Sequence, residues 1–176
     1  MKKVNVLAIA VVCLLLGVAL GFAAKKTSAG VAVFKGKAPK EAGQAALAEA
    51  ERLAEDGSWE LIAIGRVYYL SGDKAKGQAL FDRVTGKKVK SSDWQRIGEV
   101  YAEAGENAKA EECFQKMLAD SPKDDTGWSE VGSWYVRTGK REKGEELIAK
   151  ALGRNPDDMW HYVRAGEAYL GVPRGR

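Results

Sequence analysis

Residues 94–122 read WQRIGEVYAEAGENAKAEECFQKMLADSP, and this stretch decides how the chain folds. When the chain is compared with itself, the pattern of this stretch recurs along it at a fixed interval. Five columns keep this interval: Gly65, Gly98, Gly132 and Gly166; Tyr68, Tyr101, Tyr135 and Tyr169; Gly72, Gly105 and Gly139; Gly43, Gly77, Ala110 and Gly144; Leu47, Phe81, Phe114 and Ile148. A fixed interval of this kind is typical of proteins built from stacked repeats.

The apolar residues of the quoted stretch have helical spacing. Trp94, Ile97 and Tyr101 lie at positions i, i+3 and i+7, so they share one face of a helix. Gly98 lies on the same face, and glycine costs about 1 kcal/mol relative to alanine inside a helix. Its recurrence therefore predicts that a second helix packs closely there. Gly105 falls where a left-handed helix end favours glycine, so the helix is predicted to end there.

The pattern of the quoted stretch is W-x2-I-G-x2-Y, then A-x3-F, then P. It resembles the tetratricopeptide repeat, whose pattern is W-x2-L-G-x2-Y, A-x3-F, P and whose period matches the interval of the five columns. The resemblance covers about residues 40–171. It implies an all-α fold, a solenoid of helical hairpins with about three full repeats. The first predicted helix resembles a second helix without its first, and the last resembles a first helix without its second. These half-repeats can serve as the caps that solenoid ends need.

The repeat pattern and its punctuation predict eight helices in this region. Ser92 with Gln95 fits a capping box at the start of one of them, while Pro122 and Pro156 fall in the turns between units. We expect helices at about residues 40–56, 58–71, 74–86, 91–104, 107–119, 124–138, 141–152 and 158–171.

The N-terminus predicts a membrane or export segment over residues 1–24. Residues 4–24 contain no charged side chain, and a helix of this length spans about 30 Å, the thickness of the bilayer hydrocarbon. Signal-peptide cores are usually only about 7–15 residues long, which favours a single-pass transmembrane anchor. A cleaved signal peptide is the alternative, since small residues precede Ala24 and Gly30. Residues 25–39 are expected to be a linker, in which 31–34 form a short strand or lie on the membrane surface.

The orientation of this segment follows from the lysines around it. Lys2 and Lys3 before an apolar run are the ordinary pattern of export, which predicts a bacterial inner-membrane protein with a periplasmic body. The lysines that follow the segment favour the opposite orientation under the positive-inside rule, with a body that faces the cytoplasm. If the segment is cleaved, the body is instead secreted into the periplasm.

The distribution of charge argues against nucleic-acid binding. The net charge is +4, but residues 1–39 hold six lysines and no acidic residue, while residues 40–176 hold 22 basic and 24 acidic residues. A weakly acidic folded region has no reason to seek phosphate backbones. His161 has no companion ligand and is expected to be a surface or capping residue, and Cys113 is expected in the core. We therefore expect no cofactor, no metal and no enzymatic activity.

The concave face is the candidate binding surface. In a tetratricopeptide array the stacked first helices line this face, and residues opposite the Trp–Gly–Tyr side should point into it. The candidate groove residues are Arg66, Tyr69, Gln95, Glu99, Glu103, Ser129, Ser133 and Arg137, together with Ile62, Val163 and Glu167. Their mixture of charged and aromatic side chains is typical of protein-binding grooves. The alternative is that they form a merely solvated face.

The resemblance and the N-terminal segment together predict a function. We expect a membrane-tethered protein–protein interaction scaffold that binds a protein or peptide in its groove and helps assemble or localise an envelope complex. One alternative is a self-associating structural protein, since Tyr162 and Tyr169 of the incomplete last repeat face where a second helix should be. Another is a free periplasmic repeat domain after signal cleavage. Fold-level analogy identifies no individual partner.

Overall fold

A computed structural model describes residues 29–172. Within this range the chain forms a turn of 3-10 helix and eight α-helices, with no strand. The α-helices are α1 (Pro39–Ala54), α2 (Ser58–Leu70), α3 (Lys74–Thr85), α4 (Ser91–Glu103), α5 (Asn107–Asp120), α6 (Asp125–Arg137), α7 (Arg141–Arg154) and α8 (Met159–Leu170). Every predicted helix is present, with ends that agree to within two residues, so the all-α prediction is confirmed.

The chain divides into two compact units, Met1–Leu53 and Ala54–Arg176. In the first unit, the prediction of a short strand at 31–34 is wrong, because Gly30–Val33 forms the 3-10 turn. In α1, Glu49 accepts a hydrogen bond from the backbone N–H of Ala29 at 3.0 Å and pairs with Arg52 at 2.8 Å. The role of α1 as a cap of the array stays a prediction.

The predicted membrane segment, residues 1–24, lies outside the described residues. Between residues 29 and 172, none of the helices combines the length and apolar character needed to cross a bilayer.

In the second unit, the helices pair as three hairpins, α2–α3, α4–α5 and α6–α7, followed by α8. In the first and third hairpins the paired helices cross where two glycines meet. A Cβ atom on Gly77 would lie 2.7 Å from the carbonyl oxygen of Gly65, and one on Gly144 would lie 2.6 Å from that of Gly132. In the middle hairpin, a Cβ on Gly98 would lie 2.8 Å from the Phe114 ring. No side chain fits at these glycines, which confirms the packing role predicted for them.

Gly166 occupies the same repeat position in α8 but has different surroundings. A Cβ atom added to it would meet no atom within 4 Å. In the described part of the chain no second helix covers this side of α8, which explains the open space. The glycine is therefore retained in α8 without the close helix crossing that it serves in the three complete hairpins.

The ends of the first helices need glycine for a conformational reason. Gly105 and Gly139 have φ angles of 75° and 83°, in the left-handed region that disfavours a side chain. After Gly105, the N–H of Glu106 donates back to the carbonyl of Tyr101 at 2.8 Å, and so satisfies a terminal acceptor of the helix. The predicted C-caps are confirmed.

The capping box predicted from Ser92 and Gln95 is wrong. Helix α4 begins at Ser91, and the side chain of Asp93 accepts a hydrogen bond from the backbone N–H of Lys90 at 3.1 Å. Gln95 instead donates to Glu99 at 3.1 Å on the following turn. Asp93 and Gln95 both lie near the start of α4, and Asp93, which is closer to that start, caps the helix.

The core of the second unit is aromatic. Tyr69, Phe81 and Tyr101 pack with ring centroids 5.5–5.8 Å apart, and they join the first hairpin to the second. Such ring pairs add roughly 0.5–1.5 kcal/mol beyond the apolar area that they bury. Cys113 lies in the same core with 5% of its surface exposed, and burial raises the pKa of its thiol to about 11. Its prediction as a core residue is confirmed.

A repeated hydrogen bond joins each hairpin to the first helix that follows it. In each bond, the hydroxyl of a tyrosine from the recurrent column donates to a side chain on the second helix of the preceding hairpin. The acceptor is the residue directly after Gly77, Ala110 or Gly144. Three such bonds occur among the described residues: Tyr101 to Gln78 at 2.8 Å, Tyr135 to Glu111 at 2.9 Å and Tyr169 to Glu145 at 2.5 Å. The tyrosine column therefore fixes the stacking of units as well as the packing within them.

We predict that Gly132→Ala destabilises the protein by about 2 kcal/mol, because the new methyl group meets backbone atoms of α7. The matched control is Gly166→Ala, which has open space around it and removes the unfavourable helix propensity of glycine. We expect this control to be neutral or to stabilise by up to about 1 kcal/mol. Urea unfolding measures both free energies. Equal effects of the two substitutions would contradict the glycine crossing.

A second prediction concerns acid stability. Bonds from Lys140, Lys143 and Tyr135 lower the pKa of Glu111 from 4.5 to about 2. A carboxyl group whose pKa is lowered by folding contributes stability above its unfolded pKa and loses that contribution as the pH falls toward its folded pKa. We expect Glu111→Gln to be less stable than the wild type above about pH 5 and equally stable near pH 2.

Urea unfolding from neutral to strongly acidic pH measures this difference. The same substitution at Glu142, in the exposed first turn of α7, controls for the loss of one negative charge. A stability difference for Glu111→Gln that does not change with pH would show that the carboxylate is not engaged as described.

Candidate functional site

The first helices of the three hairpins line a groove. Helices α2, α4 and α6 contribute most of the wall of a cavity of about 1060 Å³. Its deepest lining is apolar and includes Val100, Phe114, Met117, Val131 and Trp134, each at most 5% exposed. The volume is slightly above the range usual for small-molecule pockets.

The rim of the groove is charged and cross-linked. Arg66 on α2 donates two hydrogen bonds to the carboxylate of Glu103 on α4, at 2.8 and 2.5 Å. Gln95 on α4 donates to Glu130 on α6 at 2.5 Å. These bonds tie each first helix to its neighbour, so they hold the wall of the groove at a fixed spacing.

Five of the eight predicted groove residues line this cavity: Arg66, Gln95, Glu99, Glu103 and Arg137. Ile62 also lines it, from beneath the rim. Val163 and Glu167 of α8 are not part of its lining. The five lining residues thus lie together along α2, α4 and α6, and their binding of a partner stays a prediction.

Tyr69, Ser129 and Ser133 do not line this cavity. Tyr69 is 2% exposed because its ring packs in the aromatic core, and its hydroxyl donates to Glu106 at 2.7 Å. Ser129 and Ser133 are 0% and 2% exposed. They share a face of α6 with Asp125, which lies beside His161 of α8, so they lie on the side where the next first helix stacks.

His161 is not the surface or capping residue that the sequence predicted. Its side chain is 0% exposed. The Nε2 atom lies 3.6 Å from a carboxylate oxygen of Asp125 and 3.8 Å from one of Asp158. Neither ring nitrogen has a hydrogen-bond partner within residues 29–172. The error arose because α8 packs on α6, which buries a position that looks exposed when α8 is considered alone.

Three rim residues were missed from the sequence: Trp59, Arg96 and Glu130. Trp59 is 52% exposed, and the guanidinium of Arg96 lies 3.8 Å from the centre of its ring, a cation–π contact. Arg96 and Glu130 occupy the repeat column one residue after the column of Ile62 and Gln95. If the predicted groove residues had been chosen one position later on each first helix, they would have included Arg96 and Glu130.

Carboxylates of this surface are hydrogen-bonded to side chains of the neighbouring helix. The carboxylates of Glu103 and Glu130 are held by an arginine and an amide rather than placed beside a nucleophile. Among residues 29–172, no cluster of three or more His, Cys, Asp or Glu side chains could hold a metal ion. The groove combines an apolar floor, an exposed tryptophan and a balanced set of charges.

Comparison with known proteins identifies the repeat. Residues 94–121 match the family model of the tetratricopeptide repeat. The matched segment begins within α4 and continues through the turn and α5. The hairpins α2–α3 and α6–α7 have the same architecture in the structure. A search of curated proteins gave no match.

Two solved structures are similar to the chain over most of its length. One is described as the crystal structure of MamA, with a TM-score of 0.53 and 18% identity over 75% of this chain and 80% of that chain. The other is described as the crystal structure of MamA protein, with a TM-score of 0.52 and 17% identity over 76% of each chain. At these identities the likeness shows a shared solenoid fold and nothing about function.

We predict that the ion pair on the rim contributes little to stability. Arg66 and Glu103 are about one-third exposed, at 31% and 34% of their side-chain surfaces. Exposed pairs typically contribute about 0.2–1 kcal/mol, so the coupling energy from a double-mutant cycle should be about 0.5 kcal/mol. Urea unfolding of Arg66→Ala, Glu103→Ala and the double variant measures it. A coupling energy several times larger than that range would show that the pair is a main support of the fold.

Proposed function

We propose that this protein is a protein–protein interaction scaffold that binds a segment of a partner protein in the groove along α2, α4 and α6. The observation that carries the proposal is the groove itself. Its apolar floor lies beneath a rim that is held in place by hydrogen bonds between helices. A preformed groove supports binding because little conformational freedom is lost when a partner enters it.

The composition of the groove favours a protein partner. Trp59 and Arg96 together present an exposed aromatic and a guanidinium, two side-chain types that are enriched in binding hot spots. The lining holds three arginines and three glutamates, so it has no net charge. Balanced charges of this kind fix the register of a partner more than they raise its affinity. A basic patch for nucleic acid is not what this surface presents.

The size of the groove limits the length of the segment that it binds. Packed helices lie about 8–10 Å apart, so three adjacent first helices span roughly 20 Å. A helix of that length has about 13 residues, since each residue adds about 1.5 Å. We propose that the partner supplies a segment of this size, with an apolar side chain for the floor and polar side chains for the rim.

We also propose that residues 1–24 anchor the protein in a bacterial inner membrane with the repeats in the periplasm, where the scaffold helps assemble an envelope complex. The support is the uncharged stretch 4–24 after Lys2 and Lys3. Protease protection in spheroplasts, with the mature N-terminus read by mass spectrometry, tests this part separately. A protease-resistant body would place the repeats in the cytoplasm, and a start near residue 24 or 30 would replace the anchor by a cleaved signal.

The groove proposal is tested by photo-crosslinking in cells that express the full chain. A photoreactive phenylalanine replaces Trp59 or Arg137 on the groove, and in the control it replaces the exposed Gln115 on α5. We expect a covalent adduct of the same discrete mass from both groove positions and none from Gln115. The adduct from position 137 should fall about tenfold or more when Trp59 is changed to Ala.

Two results would contradict the groove as the binding surface. One is the absence of any adduct from both groove positions while the chain is folded and present at normal levels. The other is an identical adduct from Gln115, which would place the partner on the outer surface of the second helices.

A further inference from the structure

The side of α8 that should receive a second helix is uncovered in the described structure. Tyr162 occupies the repeat position of Trp94 and Trp128, which lysines of the paired second helix cover in complete hairpins. Tyr162 is 57% exposed, and nothing lies within 4 Å of a Cβ built on Gly166. Helix α8 therefore presents the open half of a hairpin interface.

Helix α1 has the pattern of a second helix. Its residues Gly43, Ala46, Leu47 and Ala50 have the same spacing as the residues through which α7 packs on α6. Those α7 residues are Gly144, Leu147, Ile148 and Ala151. No residue of α1 is fully buried, and nothing lies within 4 Å of a Cβ built on Gly43. Helix α1 thus carries the glycine that the open face of α8 is shaped to meet.

We propose that α1 of a second copy of this chain packs on α8 and completes a fourth hairpin, with Gly43 crossing Gly166. The glycine pairs Gly65–Gly77 and Gly132–Gly144 show that this crossing brings a Cβ position within 2.6–2.7 Å of the opposite backbone when both partners are glycine. A helix with a glycine opposite Gly166 can approach α8 equally closely, and α1 is such a helix because it carries Gly43.

The charges of the two helices support the same pairing. In a hairpin, the start of the second helix lies beside the end of the first. This places Lys37 and Lys40 near Glu167 and the negative end of α8, whose last turn has no basic residue. Cations beside the last turn of a helix are favourable, since the unpaired carbonyls there carry partial negative charge.

The proposed contact is heterologous, because the two copies use different surfaces. Such contacts build open chains or closed rings rather than two-fold dimers.

Complementation between two variants tests the proposal. Gly43→Leu blocks α1, and Gly166→Leu blocks the receiving face of α8, while both sites have open space in the single chain. Gly153→Leu, at an exposed glycine of α7 with no atom within 4 Å, is the matched control. Sedimentation velocity of the full chain in detergent gives the mass of the protein, and circular dichroism confirms that each variant is helical.

We expect the wild type and Gly153→Leu to associate further as concentration rises. Gly43→Leu and Gly166→Leu should each resist association, with an affinity weaker by about tenfold or more. Mixed together, they should form a one-to-one dimer and nothing larger, because each variant retains the surface that the other lacks. If one Leu variant loses helicity, Tyr162→Glu replaces Gly166→Leu and Leu47→Glu replaces Gly43→Leu in the same mixture.

Three results would overturn the proposal. The wild type could remain a monomer at the highest concentration reached, which would leave the α8 face without a second copy. The Leu variants could associate as strongly as the wild type, which would assign association to another surface, including residues 1–28. The mixture of the two variants could remain monomeric, which would exclude head-to-tail pairing.

Discussion

The close crossing of helices at the recurrent glycines of the first helices is the contact on which the rest of the structure depends. At Gly132 and Gly144 the two helices approach so closely that a methyl group would overlap backbone atoms. This approach sets the angle and depth of each hairpin, which in turn place the apolar faces of first and second helices against one another. A hairpin of this shape recurs at the interval of the glycine column, so the same geometry produces a stack.

The stack is held by contacts that repeat with it. The hydroxyl groups of the recurrent tyrosines donate hydrogen bonds to side chains of the preceding hairpin. One of these acceptors, Glu111, also accepts hydrogen bonds from Lys140 and Lys143. On the opposite side, the bonds from Arg66 to Glu103 and from Gln95 to Glu130 join neighbouring first helices. The groove is therefore a consequence of stacking. Its apolar floor includes Val131 and Trp134.

The sequence predicted the hairpins because glycine and aromatic columns report packing inside one unit. Five of the predicted groove residues line the cavity, because these lie directly opposite that packed side. Tyr69, Ser129, Ser133 and His161 are buried instead, because the neighbouring unit covers these positions. Helical periodicity shows which face of a helix meets its own partner, but not how far the next unit covers the remaining faces. Trp59 was missed because it lies outside the recurring columns.

The most direct test of this account is the measurement of nuclear Overhauser effects from the glycine α-protons of the folded protein. The glycine crossing predicts strong effects between the α-protons of Gly132 and the Ile148 side chain, and between those of Gly98 and the Phe114 ring, since these groups are in contact across each hairpin. In a dilute, monomeric sample, Gly166 should give no effect to any residue outside α8 and its immediate neighbours. The absence of the Gly132–Ile148 effect in a folded sample would contradict the glycine crossing and the hairpin geometry built on it.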